Sequence, residues 1–375
     1  MKKILYLSDV PLNSVGGAQE SMKVIMNGLN NKFSFFIITP MSKKEFENQV
    51  IFKEYDNFVL KGKNKKEIIS LIKKIRDEIY RINPDIIHVQ MPSTMILIGI
   101  LKSLKLIPKK IEIFYTDRGV LDKYGKITRS CIKYFSKNFK FIITTTDYNG
   151  SLYKKLEYVG KSTKLVTIPN TAGEKFDSYS QELRTKTRQK FNIGKDEIVI
   201  GFSGRQSVDK NWPLAIDIVK KLNENYKFKV CIALGTNKSK ENLEEAKSTI
   251  NSIKQIIGED RTIDFIDVSL DKMNELYYLN DIFILSSRVE SFGRTAVEAM
   301  ARKNVVYGTR VDGLKEVIGY EENRYSDVNE LEMKIKKNLE DMKTMNKEKE
   351  KFYQRYHSNY RTDICIGKYD KLYNG

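Results

Sequence analysis

Short apolar runs alternate with segments of helical period along most of the chain, and this alternation constrains the fold more than any other feature. Strands are predicted at Lys3 to Leu7, Phe33 to Thr39, Asp85 to Gln90, Ile111 to Tyr115 and Phe141 to Thr145. Between the second and third of these, residues 68, 69, 72, 75, 79 and 82 are apolar and keep one helical face until Asn83-Pro84 stops it. Strands separated by helices build βαβ units and a parallel sheet. The pattern breaks at Ile168-Pro-Asn-Thr171 and a polar stretch to about Lys195, then resumes. Glu197 to Phe202, Lys229 to Leu234, Thr262 to Ile266, Ile282 to Ser286 and Val305 to Tyr307 supply further strands, with helices at Pro213 to Leu222 and Lys240 to Ile256. A length of 375 residues suits two cores rather than one. The expectation is an α/β chain of two Rossmann-like, doubly wound parallel-sheet domains, residues 1–170 and 171–350. A helical tail over residues 351–375 packs back on the first domain, and its aromatics between Tyr360 and Tyr373 are read as core.

Several chemistries are excluded by what the chain lacks. Cys131, Cys231 and Cys365 are far apart and odd in number, which indicates neither a disulfide framework nor a zinc site. His88 and His357 are the only histidines, one in each half, so histidine-based metal and triad chemistry drops out. Asp264-Phe-Ile-Asp267 sits within an apolar strand pattern and is read as structural, and no metal site and no cofactor are expected. The N-terminal apolar run stops at Asp9 and reads as a buried strand rather than a signal peptide. The longest apolar run, Met95 to Leu101, is too short to span a bilayer. A cytoplasmic location is the simplest.

The net charge of +18 is unevenly distributed. Residues 1–170 carry 30 Lys and Arg against 15 Asp and Glu, whereas the remainder carries 36 against 33. Clusters fall at Lys61 to Lys66, Lys102 to Lys110 and Lys123 to Lys140, the last interleaved with Tyr124, Ile127, Ile132, Tyr134 and Phe135. A basic face with apolar neighbours can rest on an anionic leaflet; the alternative is that these lysine-rich helices are simply solvated. No nucleic-acid module is evident, so nucleic acid is not an expected partner.

The chemistry concentrates at strand ends. Glu290-Ser291-Phe292-Gly293-Arg294-Thr-Ala-Val-Glu298 follows the predicted strand at Ile282 and leads into a helix. In open α/β sheets ligands bind outside the carboxyl ends of strands, where unpaired helix N–H groups attract anions. Glu290 in the loop and Glu298 in the first helical turn can accept bonds from sugar hydroxyls, and the amides of Phe292, Gly293 and Arg294 can meet phosphate oxygens. A sugar nucleotide fits that combination. Gly201-Phe-Ser-Gly204-Arg205 closes another strand of the same sheet, with Lys210 beyond it. Glycine lets backbone approach a diphosphate, and Arg205 with Lys210 can neutralise the charge that grows there as a glycosidic bond breaks. Alone, such a strand end reads better as a structural turn; joined to the glutamate pair at another strand end of the same sheet, it points to a ligand. Gly16-Gly17 opens a helix after the first strand, but there is no Gly-x-Gly-x-x-Gly fingerprint and no Walker A sequence, which disfavours a dehydrogenase, a kinase or an ATPase.

Taken together, Gly16-Gly17, Pro84-Asp-Ile-Ile-His-Val89, Ile168-Pro-Asn170, Gly204-Arg205 with Lys210, the segment Glu290 to Ala301, and Gly313-Leu-Lys-Glu316 resemble the retaining glycosyltransferases of family 4. That resemblance implies the GT-B architecture, in which two Rossmann-like domains face a cleft. It assigns Glu298 to the donor ribose, Glu290 to the transferred sugar, and Arg205 and Lys210 to the diphosphate. The Ser291 to Arg294 segment assists, and Gly16 and Gly17 close the donor site from the other domain. Asp117 and Arg118 are candidate sugar or acceptor contacts, with Arg118 standing where family members often carry His. Lys303 and Asn304 replace a usual Gly and Pro, and Asp312 replaces a frequent Gly.

The expected reaction is transfer of a hexosyl unit from a nucleoside-diphosphate sugar, UDP-linked, to an acceptor hydroxyl with retention. The expected acceptor is a lipid-linked glycan at the inner face of a bacterial membrane, in capsule, exopolysaccharide or cell-wall polymer synthesis. A sugar-nucleotide epimerase of the same fold is an alternative, although no clear acid and base set for elimination and readdition is present. A non-catalytic, glycan-binding partner subunit is another, against which the intact Arg205, Lys210, Glu290 and Glu298 argue.

Overall fold

The computed structural model describes every residue except Val15. The chain divides into two compact units, Met1–Pro169 together with Cys365–Gly375, and Asn170–Ile364.

In the first unit the strands are β1 (Lys3–Leu7), β2 (Ser34–Pro40), β3 (Gln49–Phe52), β4 (Ile86–Val89), β5 (Glu112–Asp117), β6 (Phe141–Thr144) and β7 (Lys164–Thr167). All pair in parallel, in the order β3-β2-β1-β4-β5-β6-β7. Ile4, Leu5, Tyr6 and Leu7 of the central β1 are fully buried, as expected of a strand covered by helices on both faces. The helix Lys65–Ile82 turns Leu71, Ile75, Ile79 and Ile82 inward. Its start is a capping box: Glu67 N–H donates to Asn64 Oδ1 at 3.0 Å and Asn64 N–H to Glu67 Oε2 at 2.8 Å. Asn83, at φ 49°, ends it.

The tail returns to this unit from Cys365 onward. Tyr373 is buried, with its hydroxyl 2.5 Å from Tyr6 Oη and 2.7 Å from His88 Nδ1, and Lys2 Nζ donates to its carbonyl at 2.9 Å. Residues 351–364, which the sequence places in the tail, pack instead in the second unit. There Phe352 and Tyr356 join the core, and Tyr356 Oη donates to Asp177 Oδ1 at 2.6 Å.

The second unit holds β8 (Val199–Arg205), β9 (Lys229–Gly235), β10 (Thr262–Ile266), β11 (Ile282–Leu285), β12 (Val305–Thr309) and β13 (Arg324–Tyr325). They are parallel in the order β10-β9-β8-β11-β12-β13. The order reverses between β8 and β11, so the connections leaving their carboxyl ends run to opposite faces and open a crevice at that point. Arg302 is 1% exposed and secures the segment that enters this unit. Its guanidinium donates to the carbonyls of Lys175 at 2.5 Å, Phe176 at 3.1 Å and Ser178 at 2.9 Å, and lies over the rings of Phe176 and Tyr278.

Candidate active site at the switch point of the second sheet

β8 leaves the sheet at Arg205 and makes a single turn over Val208–Lys210 before Asn211, at φ 52°, redirects the chain into the helix Trp212–Asn223. Asn tolerates this left-handed conformation better than most residues. The turn carries Lys210 back over its own strand. A Cβ on Gly204 would stand 3.3 Å from Lys210 Cδ and Cε, so the glycine makes room for the aliphatic stem of the lysine. At the end of that stem, Lys210 Nζ donates to Glu290 Oε2 at 2.5 Å, with the two side chains only 19% and 15% exposed. The loops after β8 and β11 are also joined by backbone. Ser286 Oγ donates to Lys210 O at 2.8 Å, and Arg288 N–H donates to Asp209 O at 2.7 Å.

Glu290 is held at every polar atom of its backbone and carboxylate. Its N–H donates to Asp312 Oδ2 and its carbonyl accepts from Gly313 N–H, both at 3.1 Å, while Oε1 accepts from Gly293 N–H at 3.1 Å. Gly293 has φ 87°, and a Cβ there would come within 2.7 Å of Leu314 Cδ1, so strain and space both restrict the position to glycine. It precedes the helix Arg294–Ala301. Of the three amides assigned by sequence to phosphate, that of Gly293 is thus engaged with Glu290. Phe292 is buried and meets Tyr360 edge to face at 5.8 Å, which anchors the loop in the core.

Glu298 lies in the second turn of this helix rather than the first, and is 6% exposed. Arg294 Nε is 3.0 Å from Oε1, and Tyr277 Oη donates to Oε2 at 2.8 Å. The Tyr277 hydroxyl stands 3.0 Å from Ser203 Oγ on β8. Burial, reinforced by the neighbouring Glu298 charge, raises the Tyr277 phenol well above its ordinary value. The phenol therefore stays protonated and donates to the carboxylate. Arg294 and Tyr277 orient the Glu298 carboxylate. Tyr277 and Ser203 were not read from the sequence. A buried tyrosine needs a polar partner, but nothing in the linear pattern names which one.

Arg205 is exposed where β8 ends, beside Gly204 and the Lys210 turn. The other predicted residues are in the first unit. Gly16 and Gly17 stand at the start of the helix Gly17–Leu29. Asp117 ends β5 and is fully buried: Oδ1 accepts from Gly119 N–H at 3.0 Å and Tyr124 Oη at 2.6 Å, and Oδ2 from Tyr153 Oη at 2.6 Å. It shapes the loop that carries Arg118. Arg118 donates through Nε and Nη2 to Gln90 Oε1 at 2.9 and 2.6 Å.

Residues 184–357 match the family described as glycosyl transferases group 1. That group 1 segment lies within the second unit and contains every residue named above from Ser203 to Glu298. The chain is 31% identical over 155 residues to the lipopolysaccharide 1,2-N-acetylglucosaminetransferase of Salmonella typhimurium, a match over 40% of each chain. Whole-chain likeness comes from solved structures. Sucrose-phosphate synthase from Thermosynechococcus elongatus superposes with a TM-score of 0.83 at 15% identity, covering 100% of this chain and 98% of that one. HepE of Anabaena, solved with UDP-glucose, gives 0.78 at 16% identity and covers 100% of both chains. These likenesses carry the fold, and the two Rossmann-like units are of the GT-B type. The chain spans about 40% of the length of the Salmonella relative it matches.

Proposed function

We propose that this chain is a retaining hexosyltransferase that takes a hexosyl unit from a UDP-linked sugar and delivers it to an acceptor hydroxyl. The observation that carries the reading is the Lys210–Glu290 pair held at the switch point between β8 and β11. In the closed pair the lysine charge is spent on the glutamate. A diphosphate arriving beside Arg205 competes for that ammonium, and the freed Glu290 carboxylate becomes an acceptor for hydroxyls of the transferred sugar. Glu298, oriented by Arg294 and Tyr277, takes the ribose hydroxyls. Arg205 and Lys210 then stabilise the charge that develops on the leaving diphosphate, which itself accepts the acceptor proton on the same face. The UDP-glucose bound to HepE supports the choice of nucleotide. Purified protein incubated with UDP-, GDP- and ADP-hexoses should release nucleoside diphosphate from a UDP-sugar; binding of none of them in a thermal-shift panel would sink the assignment.

Tyr277 provides a narrower check. Tyr277→Phe removes one bond to Glu298 and leaves Lys210 and Glu290 in place. The expected result is a KM for the donor raised roughly five- to tenfold with kcat little changed, in line with about 1 kcal/mol for one hydrogen bond. A fall in kcat at constant KM would move Tyr277 out of ribose positioning.

The acceptor in this proposal is a lipid-linked glycan of bacterial capsule, exopolysaccharide or wall-polymer synthesis, taken by the basic first unit at an anionic membrane surface. The helix Lys126–Ser136 supports it, presenting Ile127 at 82% and Tyr134 at 55% exposure among Lys126, Arg129, Lys133 and Lys137. Tyr124, Ile132 and Phe135 from the same cluster point inward. Among the described residues no helix is long and apolar enough to cross a membrane. Vesicles containing phosphatidylserine should float the protein, and Ile127→Glu with Tyr134→Glu should cut the bound fraction about tenfold or more. Equal flotation with neutral vesicles would reject the surface.

A further inference from the structure

At the amino ends of β8 and β11, the opposite edge of the sheet from Lys210 and Glu290, a second charged cluster has no part in the proposed chemistry. Asp281 is 2% exposed and accepts from Arg184 Nη2 at 2.6 Å, Arg188 Nη1 at 3.1 Å, Lys349 Nζ at 2.6 Å and Val199 N–H at 2.9 Å. Arg184, Arg188 and Lys349 are themselves 9%, 7% and 8% exposed. Three cations against one carboxylate leave a net charge of +2 in a poorly solvated place.

Part of this cluster is explained by the fold. Arg184 donates to the carbonyls of Tyr278 and Asn280, and Arg188 to those of Leu279, Gly194 and Glu197, which fixes the turn before β11. Lys349 has no such role: among the described residues its ammonium meets a single acceptor, Asp281, which two guanidiniums already neutralise. All four side chains line a cavity of about 870 Å³. A buried cation without its own counter-charge is costly, and a dianion entering the cavity would balance the cluster. The cavity is also too large for phosphate alone. Gln181, Thr185, Gln189 and Asn346 add amides and a hydroxyl that can bond to an alcohol, beside the apolar Tyr179, Ile193 and Met342 and the opposite charges of Lys195 and Asp196. Nearby Glu350 is paired with Lys303 at 2.7 Å, so it adds no net repulsion.

We infer that this cavity binds a phosphomonoester whose organic part carries hydroxyl groups, at a site separate from that of the donor. Its dianionic phosphate sits against Lys349, Arg184 and Arg188 through charge-assisted bonds.

Glucose 6-phosphate, inorganic phosphate, glucose and potassium chloride at matched ionic strength are the probes, read by thermal shift and calorimetry on the full chain. Glucose 6-phosphate should raise Tm most, inorganic phosphate less, and the other two not at all. The response should persist in Lys210→Ala and weaken by about tenfold or more in Lys349→Gln. Lysine acetylation mapped by mass spectrometry on the unmodified chain should show Lys349 protected by glucose 6-phosphate, a readout that needs no variant to fold. A response matched by chloride, one as strong with inorganic phosphate, one abolished by Lys210→Ala, or an unprotected Lys349 would each overturn the inference.

Discussion

Lys210→Ala is expected to lower kcat with a UDP-sugar by roughly 10²–10³-fold, the range typical of removing one group that stabilises transition-state charge. The structure gives two reasons for a large effect. Lys210 is brought over Gly204 to the crevice by a turn that the loop after β11 holds through the carbonyls of Asp209 and Lys210. Its removal also leaves Glu290, 15% exposed and fixed by Gly293, Asp312 and Gly313, as an unpaired carboxylate facing an incoming diphosphate. The second effect predicts non-additivity. Glu290→Gln alone should reduce turnover through the sugar contact, but in the Lys210→Ala background it also removes the repulsion, so the double variant should lose less than the product of the single losses. Circular dichroism should stay unchanged, because the pair is at a ligand-facing edge rather than in the core. Additive losses, or a Lys210→Ala enzyme with normal kcat, would remove the lysine from the diphosphate.

The central strands were legible because each is a buried apolar run bounded by a turn, and β1, β4, β8 and β11 fix the two switch points by themselves. What escaped was at the edges. Gln49–Phe52, Lys164–Thr167 and Arg324–Tyr325 are strands of two to four residues whose partners on one side only tolerate polar positions, and their sequences carry little period-two signal. The sequence places Lys210, Glu290 and Glu298 just beyond strand ends, and the fold pairs Lys210 with Glu290 there and sets Glu298 in the helix that follows. Asp117 also ends a strand, and its carboxylate is engaged within its own unit. It serves three donors that lie two, seven and thirty-six residues away in sequence, a distribution that spacing cannot reveal. Asp312 is similar: at φ 38° it stands where glycine would be easier, and its carboxylate holds the Glu290 amide. Both show that a buried acid beyond a strand end is explained by its donors, and donors are a property of the fold.

The same logic, applied to Asp281, predicts the largest effect on stability. Asp281→Asn keeps the volume and can keep the Val199 bond, yet leaves Arg184, Arg188 and Lys349 without a counter-charge. Although burial pushes its carboxyl up, the fields of Lys349, Arg184 and Arg188 outweigh burial and bring it down from 3.8 to about 2. A group held below its unfolded value contributes stability above that value and loses it as pH falls toward the folded one. The displacement corresponds to about 2 kcal/mol, and removal of one partner from a buried ion cluster typically costs about 3–5 kcal/mol. In phosphate-free buffer at pH 7 the variant should therefore melt roughly 5–20 °C lower. The difference should narrow as pH falls from 3.8 to about 2, because the native protein then loses the charge that the variant never had. A melting difference that stays constant through that window would mean that the amide fails by misfitting its donors, and that the cations are neutralised by something other than Asp281.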